Sequence, residues 1–144
     1  MNKYIIHTDG GSRGNPGPAA LGVVIEKVGG DLKKEYGEFL GRATNNEAEY
    51  QAVIFSLKKL KQLAGKEEAR KAVVEVHTDS ELLTRQLNGQ YKIMDEKMQK
   101  FFLQIWNLKL DFKEVIFKHV PREENKGADR MVNVVLDKEL NKLL

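Results

Sequence analysis

Lys71-Ala72-Val73-Val74-Glu75-Val76-His77-Thr78-Asp79 reads as a buried strand, rich in branched apolar residues and closed by a carboxylate. A long helical pattern precedes it, Asn46–Ala64, with apolar residues at three- and four-residue spacing. Two helices follow it, Ser80–Leu87, with Ser80 as a cap, and Asp95–Lys109. Glu114–Val120 is a last strand and Asn125–Leu143 a last helix, with Pro121 at the strand-to-helix connection. Upstream, Tyr4–Asp9 is a short strand, and Ala20–Lys27 and Lys33–Leu40 form a hairpin about Gly29-Gly30-Asp31. The order βββαβααβα predicts an α/β fold, with one five-stranded mixed sheet and helices against it. The stripe Met98, Phe101, Phe102, Ile105 and Trp106 is expected to be core.

The chain has 144 residues, which suits a single domain over 1–144. It has no Cys, which removes disulfides, thiolate metal sites and a Cys nucleophile. At 41% hydrophobic and 31% charged, its composition is globular. No apolar run approaches the ~18 residues of a membrane span. Met1-Asn2-Lys3-Tyr4 leads directly into strand-like sequence, with no signal or lipidation motif. A cytoplasmic monomer without membrane contact is the expectation. The 24 Lys and Arg against 21 Asp and Glu give a net charge of +3, which permits a nucleic-acid partner without demanding one.

The word His-Thr-Asp-small closes two strands, at His7-Thr8-Asp9-Gly10 and at His77-Thr78-Asp79-Ser80. Strand ends are where α/β proteins build sites. The first long helix carries Glu47 and Glu49, which at about 100° per residue point roughly 200° apart. Glu49 shares its face with Val53, Ser56, Leu60 and Leu63, and so points inward. Glu47 shares its face with Gln51, Ile54, Lys58 and Lys61, and so points to solvent. In the last helix Asp129 stacks with Val132, Leu136, Leu140 and Leu143, whereas Asp137 and Glu139 fall off that stripe. Ionised carboxylates are rarely buried unless paired or metal-bound. If the fold gathers Asp9, Glu49, Asp79 and Asp129, their repulsion calls for a hard, oxygen-ligated cation, Mg²⁺ or Mn²⁺. Two such ions could clamp the attacking and leaving oxygens of a phosphodiester.

Other motifs carry less. Gly10-Gly11-Ser12-Arg13-Gly14 matches G-x-S-x-G, but a nucleophile elbow needs a helix directly after it, and Asn15-Pro16-Gly17-Pro18 follows. The stretch reads as a glycine-rich turn, whose functional version is backbone lying close to a phosphate or sugar. His7, His77 and His119 read as sheet-face histidines.

Four blocks in order, Thr8–Ala20, Thr44–Glu49, Thr78–Ser80 and Asn125–Asp129, resemble the type 1 ribonuclease H family across nearly the whole chain. The resemblance implies a ribonuclease H-like fold and hydrolysis of the RNA strand of RNA/DNA hybrids. It implies that Asp9, Glu49, Asp79 and Asp129 are the catalytic, metal-binding acids, holding two ions. It implies that Asn15 and Thr44 hold substrate phosphate or sugar, that Asn45 and Asn46 lie in the hybrid's minor groove, and that the Gly10-Gly11 backbone lies against the substrate. Helix capping is the alternative role for Asn45 and Asn46. Amides and hydroxyls can meet the 2′-OH that marks RNA.

The chain departs from the longer family members. A count back from Asp129 reaches His119 for the family's mobile histidine, but Val120-Pro121 reads as the strand's end. Arg122, in Val-Pro-Arg-Glu-Glu-Asn, is then the favoured accessory residue, as in the short prokaryotic branch. No Lys/Trp-rich protrusion lies within Arg85–Lys100, and none of the sequence ahead of the first strand suggests a separate hybrid-binding domain. Double-stranded RNA as substrate, and a non-catalytic nucleic-acid-binding module, remain the alternatives. If the four acids serve metal ions, 17 of the 21 acids are left against 24 Lys and Arg. That excess suits a phosphate backbone.

Overall fold

A computed structural model describes residues 2–142; Met1, and Leu143 at the expected end of the last helix, lie outside the described residues. The strands are β1 (Lys3–Ser12), β2 (Gly17–Lys27), β3 (Lys33–Ala43), β4 (Val73–Thr78) and β5 (Glu114–His119). The helices are α1 (Asn45–Ala64), α2 (Lys66–Arg70), α3 (Glu81–Leu87), α4 (Glu96–Lys109) and α5 (Lys126–Asn141). They build one mixed sheet in the order β3-β2-β1-β4-β5. The β1–β2 and β2–β3 pairs are antiparallel, and β4 runs parallel to β1 and β5. The five-stranded α/β sheet matches the expectation.

α1 packs against β1 and β2, while α5 lies across β1, β2 and β3. The main core joins Tyr4, Ile6, Val23, Ile25, Val74 and Val76 of the sheet to Tyr50, Val53, Leu57 and Leu60 of α1. Ala20, Val132 and Leu136 form a smaller cluster beneath α5. Both helices reach the sheet through a glycine. A Cβ on Gly10 would collide with the Ala48 and Glu49 backbone, and one on Gly22 with the Ala128 carbonyl. Gly22 is the antiparallel partner of Asp9. The absence of two methyl groups thus lets the turns bearing Glu49 and Asp129 settle beside the end of β1.

Several boundaries differ from the sequence reading. Gly10 and Gly11 are not a turn: they pair with Leu21 and Ala20 and extend β1 to Ser12. β2 and β3 are correspondingly longer than Ala20–Lys27 and Lys33–Leu40. The single turn of α2 interrupts the expected order, packing against α1 with Ala69 buried. Asp95 is the cap of α4, accepting from Met98 N–H, rather than its first residue. Met98 and Ile105 are core, but Trp106 is 51% exposed, stacked on Phe102 with the Lys109 ammonium over its ring.

The close approach at Gly22 is testable. Gly22→Ala should cost about 2–3 kcal/mol of unfolding free energy in urea, because backbone must move. Gly30→Ala, whose Cβ meets only the flexible Lys27 side chain, should change it by less than about 0.5 kcal/mol. Equal effects would show that the α5 contact is slack.

Candidate active site

Asp9 lies near the end of β1, Asp79 directly follows β4, Glu49 sits in the first turns of α1 and Asp129 in the first turn of α5. One carboxylate oxygen from each of Asp9, Glu49 and Asp79 lies within 4.8 Å of the others. Asp129 lines the same cleft, and its charge acts on Asp9. All four line one cleft of about 290 Å³, with Gly10, Gly11, Ser12, Arg13, Asn45 and Arg122 also on its walls.

Local structure places each acid. Thr44 caps α1, its Oγ1 accepting from Glu47 N–H at 3.1 Å. Capping therefore falls to Thr44, not to Asn45 or Asn46. Ser80 caps α3 as expected. The start of α5 is fastened by Asn125, which is 1% exposed. Its Nδ2 donates to the Thr8 carbonyl at 2.8 Å, and its own carbonyl accepts from Asp129 N–H at 3.1 Å. Glu47 turns away from the cluster, as its helical face requires. It is half-buried, however, and bonded to Lys97 at 3.1 Å rather than freely solvated.

The cluster's electrostatics follow from its crowding. Burial pushes the Asp9 carboxyl up to about 7, helped by the neighbouring Asp79 and Asp129, against a 3.0 Å bond from Gly10 N–H. Burial, with Asp9 and Asp79 close by, also holds Glu49 well above the usual carboxylate range. Glu49 Oε2 is buried and has no hydrogen-bond partner among the described residues. A buried carboxylate oxygen without a donor, beside two further carboxylates, fits a hard divalent cation. Asp9, Glu49, Asp79 and Asp129 are the residues that could hold it.

The remaining expected residues scatter. Arg122 Nε lies 3.9 Å from Asp79 Oδ2. His119 ends β5 opposite Thr78, exposed and outside the cleft lining. Asn15 and Asn45 are joined by a hydrogen bond, whereas Asn46 does not line the cleft. Arg13, Asn133 and Asp137, none of them expected at the site, stand beside these residues. Arg13 pairs with Asp137 at 2.6 Å, and Asn133 donates to the Asp129 carbonyl at 3.2 Å. Asn133 and Asp137 fall one and two helical turns after Asp129, which is the signal that could have found them, and Arg13 has none. His7 and His77 are sheet-face residues, stacked edge-on at 5.0 Å, with His77 bonded to Glu75 at 3.0 Å.

The fold and the cleft define a ribonuclease H-like protein. The chain belongs to the reverse transcriptase-like family, whose model matches residues 7–135. Within that class it is similar throughout to type 1 ribonucleases H. The structure of LC11 ribonuclease H1 in complex with an RNA/DNA hybrid is 42% identical, with a TM-score of 0.88, and the match covers 95% of this chain and 99% of that one. The ribonuclease H1 structure from the halophilic archaeon Halobacterium salinarum is 35% identical, with a TM-score of 0.86, over 94% and 98% of the two chains. A bifunctional protein of Mycobacterium tuberculosis is 37% identical over 94% of this chain, and the halobacterial ribonuclease HI 37% over 90%. The chain spans 36% of the mycobacterial protein and 62% of the halobacterial one.

The raised Asp9 carboxyl gives a signed expectation. Without metal, the folded protein holds a proton on Asp9 that the unfolded chain releases above about 3.8. Stability from this group is complete below that pH and is lost as pH rises through about 7. In chelator at pH 8, Asp9→Asn should therefore be more stable than the wild type, by an amount of order 4 kcal/mol at most. The gap should close towards pH 4. Equal urea midpoints at pH 8 would show that burial and the neighbouring carboxylates do not raise the Asp9 carboxyl.

Proposed function

We propose that this chain is a divalent-metal-dependent endoribonuclease that hydrolyses the RNA strand of RNA/DNA hybrids. The observation that carries the proposal is the convergence of Asp9, Glu49, Asp79 and Asp129 on one cleft, with the Glu49 oxygen unpartnered. The similarity to a ribonuclease H1 complexed with such a hybrid supports the substrate. Residues 1–144 are read as one catalytic domain, acting as a monomer in the cytoplasm.

The four acids would hold two ions, Mg²⁺ or Mn²⁺. When bound, such a pair supplies Lewis-acid stabilisation at the attacking and leaving oxygens of an in-line displacement. The chain's own residues do the rest. Asp9, with its raised affinity for a proton, must give that proton up before it can ligate. Gly10 lets α1 bring Glu49 to the cleft, and Gly11, whose missing side chain faces cleft-lining Val132, leaves room for a phosphate near the acids. Asn15, Thr44 and Asn45 hold the strand on the α1 side. Arg122, a guanidinium beside Asp79, would steady the departing phosphate by charge and not by proton transfer. Water adds to phosphorus as the bond to the 3′-oxygen breaks, and that oxygen leaves with a proton. The products carry 5′-phosphate and 3′-hydroxyl ends.

Labelled RNA/DNA hybrid, double-stranded RNA and duplex DNA, each with Mg²⁺ or Mn²⁺, provide the test. The hybrid's RNA strand should be cut in preference to the other two substrates. Asp9→Asn should lower turnover at least about a hundredfold. Arg122→Ala should slow turnover more than His119→Ala does. Full activity in Asp9→Asn would sink the assignment.

A further inference from the structure

β3 is an open edge of the sheet. It is 11 residues long, and its one strand partner among the described residues is β2. The other edge, β5, has 6 residues. A long edge leaves a row of N–H and C=O groups that a further strand can take up. From Lys33 to Phe39 the residues of β3 pair one for one with Glu26 to Ala20, and the register shifts only after that, at Leu40. Tyr36 is the centre of this regular stretch. It meets Phe55 of α1 edge-on at 5.7 Å, whereas Gly37 lies against Met131 and Val135 of α5. Even-numbered residues of the stretch thus face α1 and odd-numbered ones α5. Lys34 and Glu38, on the α1 face, are both exposed, and neither has an ion-pair partner among the described residues, unlike Lys33 and Glu35 beside them. On the α5 face, exposed Phe39 and Val134 line one groove.

We propose that β3 pairs with the β3 of a second copy of this chain, antiparallel about a two-fold axis at Tyr36, joining two five-stranded sheets into one. Charges on an edge strand ordinarily keep such partners away. Here the charges match their own copies. A two-fold axis that pairs two antiparallel edges stands perpendicular to the sheet, and opposed residues share a face, so one residue must stand opposite itself. With Tyr36 in that place, Lys34 of each copy faces Glu38 of the other. Leu32 then faces Leu40, and Lys33 faces Phe39. Centring on Glu35 or Glu38 sets an acid against itself, and centring on Lys34 sets a cation against itself. Centring on Gly37 opposes Lys34 to Leu40 and leaves both charges unpaired. Centring on Phe39 runs the ladder into the register shift. The regular length of the strand and its charges therefore select the same centre. The helices allow the approach. α5 lies chiefly over β2. Strands about 4.8 Å apart put α5 and its copy about 14 Å apart, a few Å beyond the 8–10 Å of packed helices. Val134 and Phe39 of each copy lie in that gap. Lys34, Tyr36 and Glu38 are not on the walls of the acid cleft, and each copy keeps its own four acids. The monomer remains the acting unit, and pairing is a second state reached at high concentration.

Sedimentation velocity of the full chain tests the pairing. Between about 10 µM and about 1 mM the wild type should pass from monomer towards dimer, as a small interface allows. Lys34→Glu sets acid against acid at two places, and Glu38→Lys sets cation against cation. Each alone should weaken association at least about tenfold, and the two together should restore it. Both positions are exposed, so thermal unfolding of the dilute proteins should be unchanged. Amide exchange followed by NMR locates the contact. At about 1 mM, alternate amides within Lys33–Phe39 should exchange more slowly in the wild type than in Lys34→Glu, because only every second N–H of an edge points outward. A wild type that stays monomeric to about 1 mM overturns the proposal. So does a double exchange that associates no better than the single ones. Association with slowed exchange on α4, where Leu103, Trp106 and Leu110 are exposed, and none on β3 also overturns it.

Discussion

Everything in the cleft depends on how closely two helices can approach one pair of strands. Gly10 on β1 admits the Ala48–Glu49 backbone of α1, and Gly22 on β2 admits the Ala128 carbonyl of α5. Each contact places a small residue, Ala48 or Ala128, against the sheet, and the next residue in sequence is an acid. Asp9 sits between the two glycines, next to one in sequence and opposite the other in the ladder. Helices normally stand off a sheet by the length of their side chains. Here that distance is removed at two points, and carboxylates from two helices reach the strand ends. A methyl group at either glycine would displace an acid as well as a helix.

The assembly costs stability. Burial raises the proton affinity of Asp9 and Glu49, and the Glu49 oxygen has no donor. Such a site is unfavourable until a cation occupies it, which is the usual relation between a functional site and the rest of a fold. The surroundings limit the damage. Asn125 fastens α5 to the Thr8 carbonyl, Thr44 caps α1, and Arg122 stands beside Asp79. Cations at the rim, Arg13 and Arg122, leave the floor of the cleft to oxygen ligands.

Much of this was legible in the sequence because it rests on periodicity. Three strand runs followed by alternating helices and strands predicted the mixed sheet, and helical spacing separated Glu49 from Glu47. The boundaries near the site were not legible, for a physical reason. Gly10-Gly11 has the composition of a turn, and only the presence of α1 above it explains why it continues the strand. Capping by Thr44 instead of Asn45 depends on a tertiary bond, since the Asn45 oxygen is already taken by Ser12. Trp106 has the spacing of a core residue, but α4 packs chiefly against α1 and leaves Trp106 half exposed. Hydrogen bonds between residues some thirty positions apart, as Ser12 to Asn45 and Asn45 to Asn15, leave no local pattern to read.

The central claim is that four carboxylates are gathered to hold divalent metal, and calorimetry addresses it directly. Mg²⁺ is titrated into metal-free protein near pH 6 in two buffers of different ionisation heat, so that the proton balance is measured with the binding. The account predicts binding accompanied by proton release, because Asp9 must lose the proton that its crowded site retains, and the release should be smaller in Asp9→Asn, where Glu49 is left as the raised carboxyl. Binding without proton release, or the same release from Asp9→Asn, would contradict it.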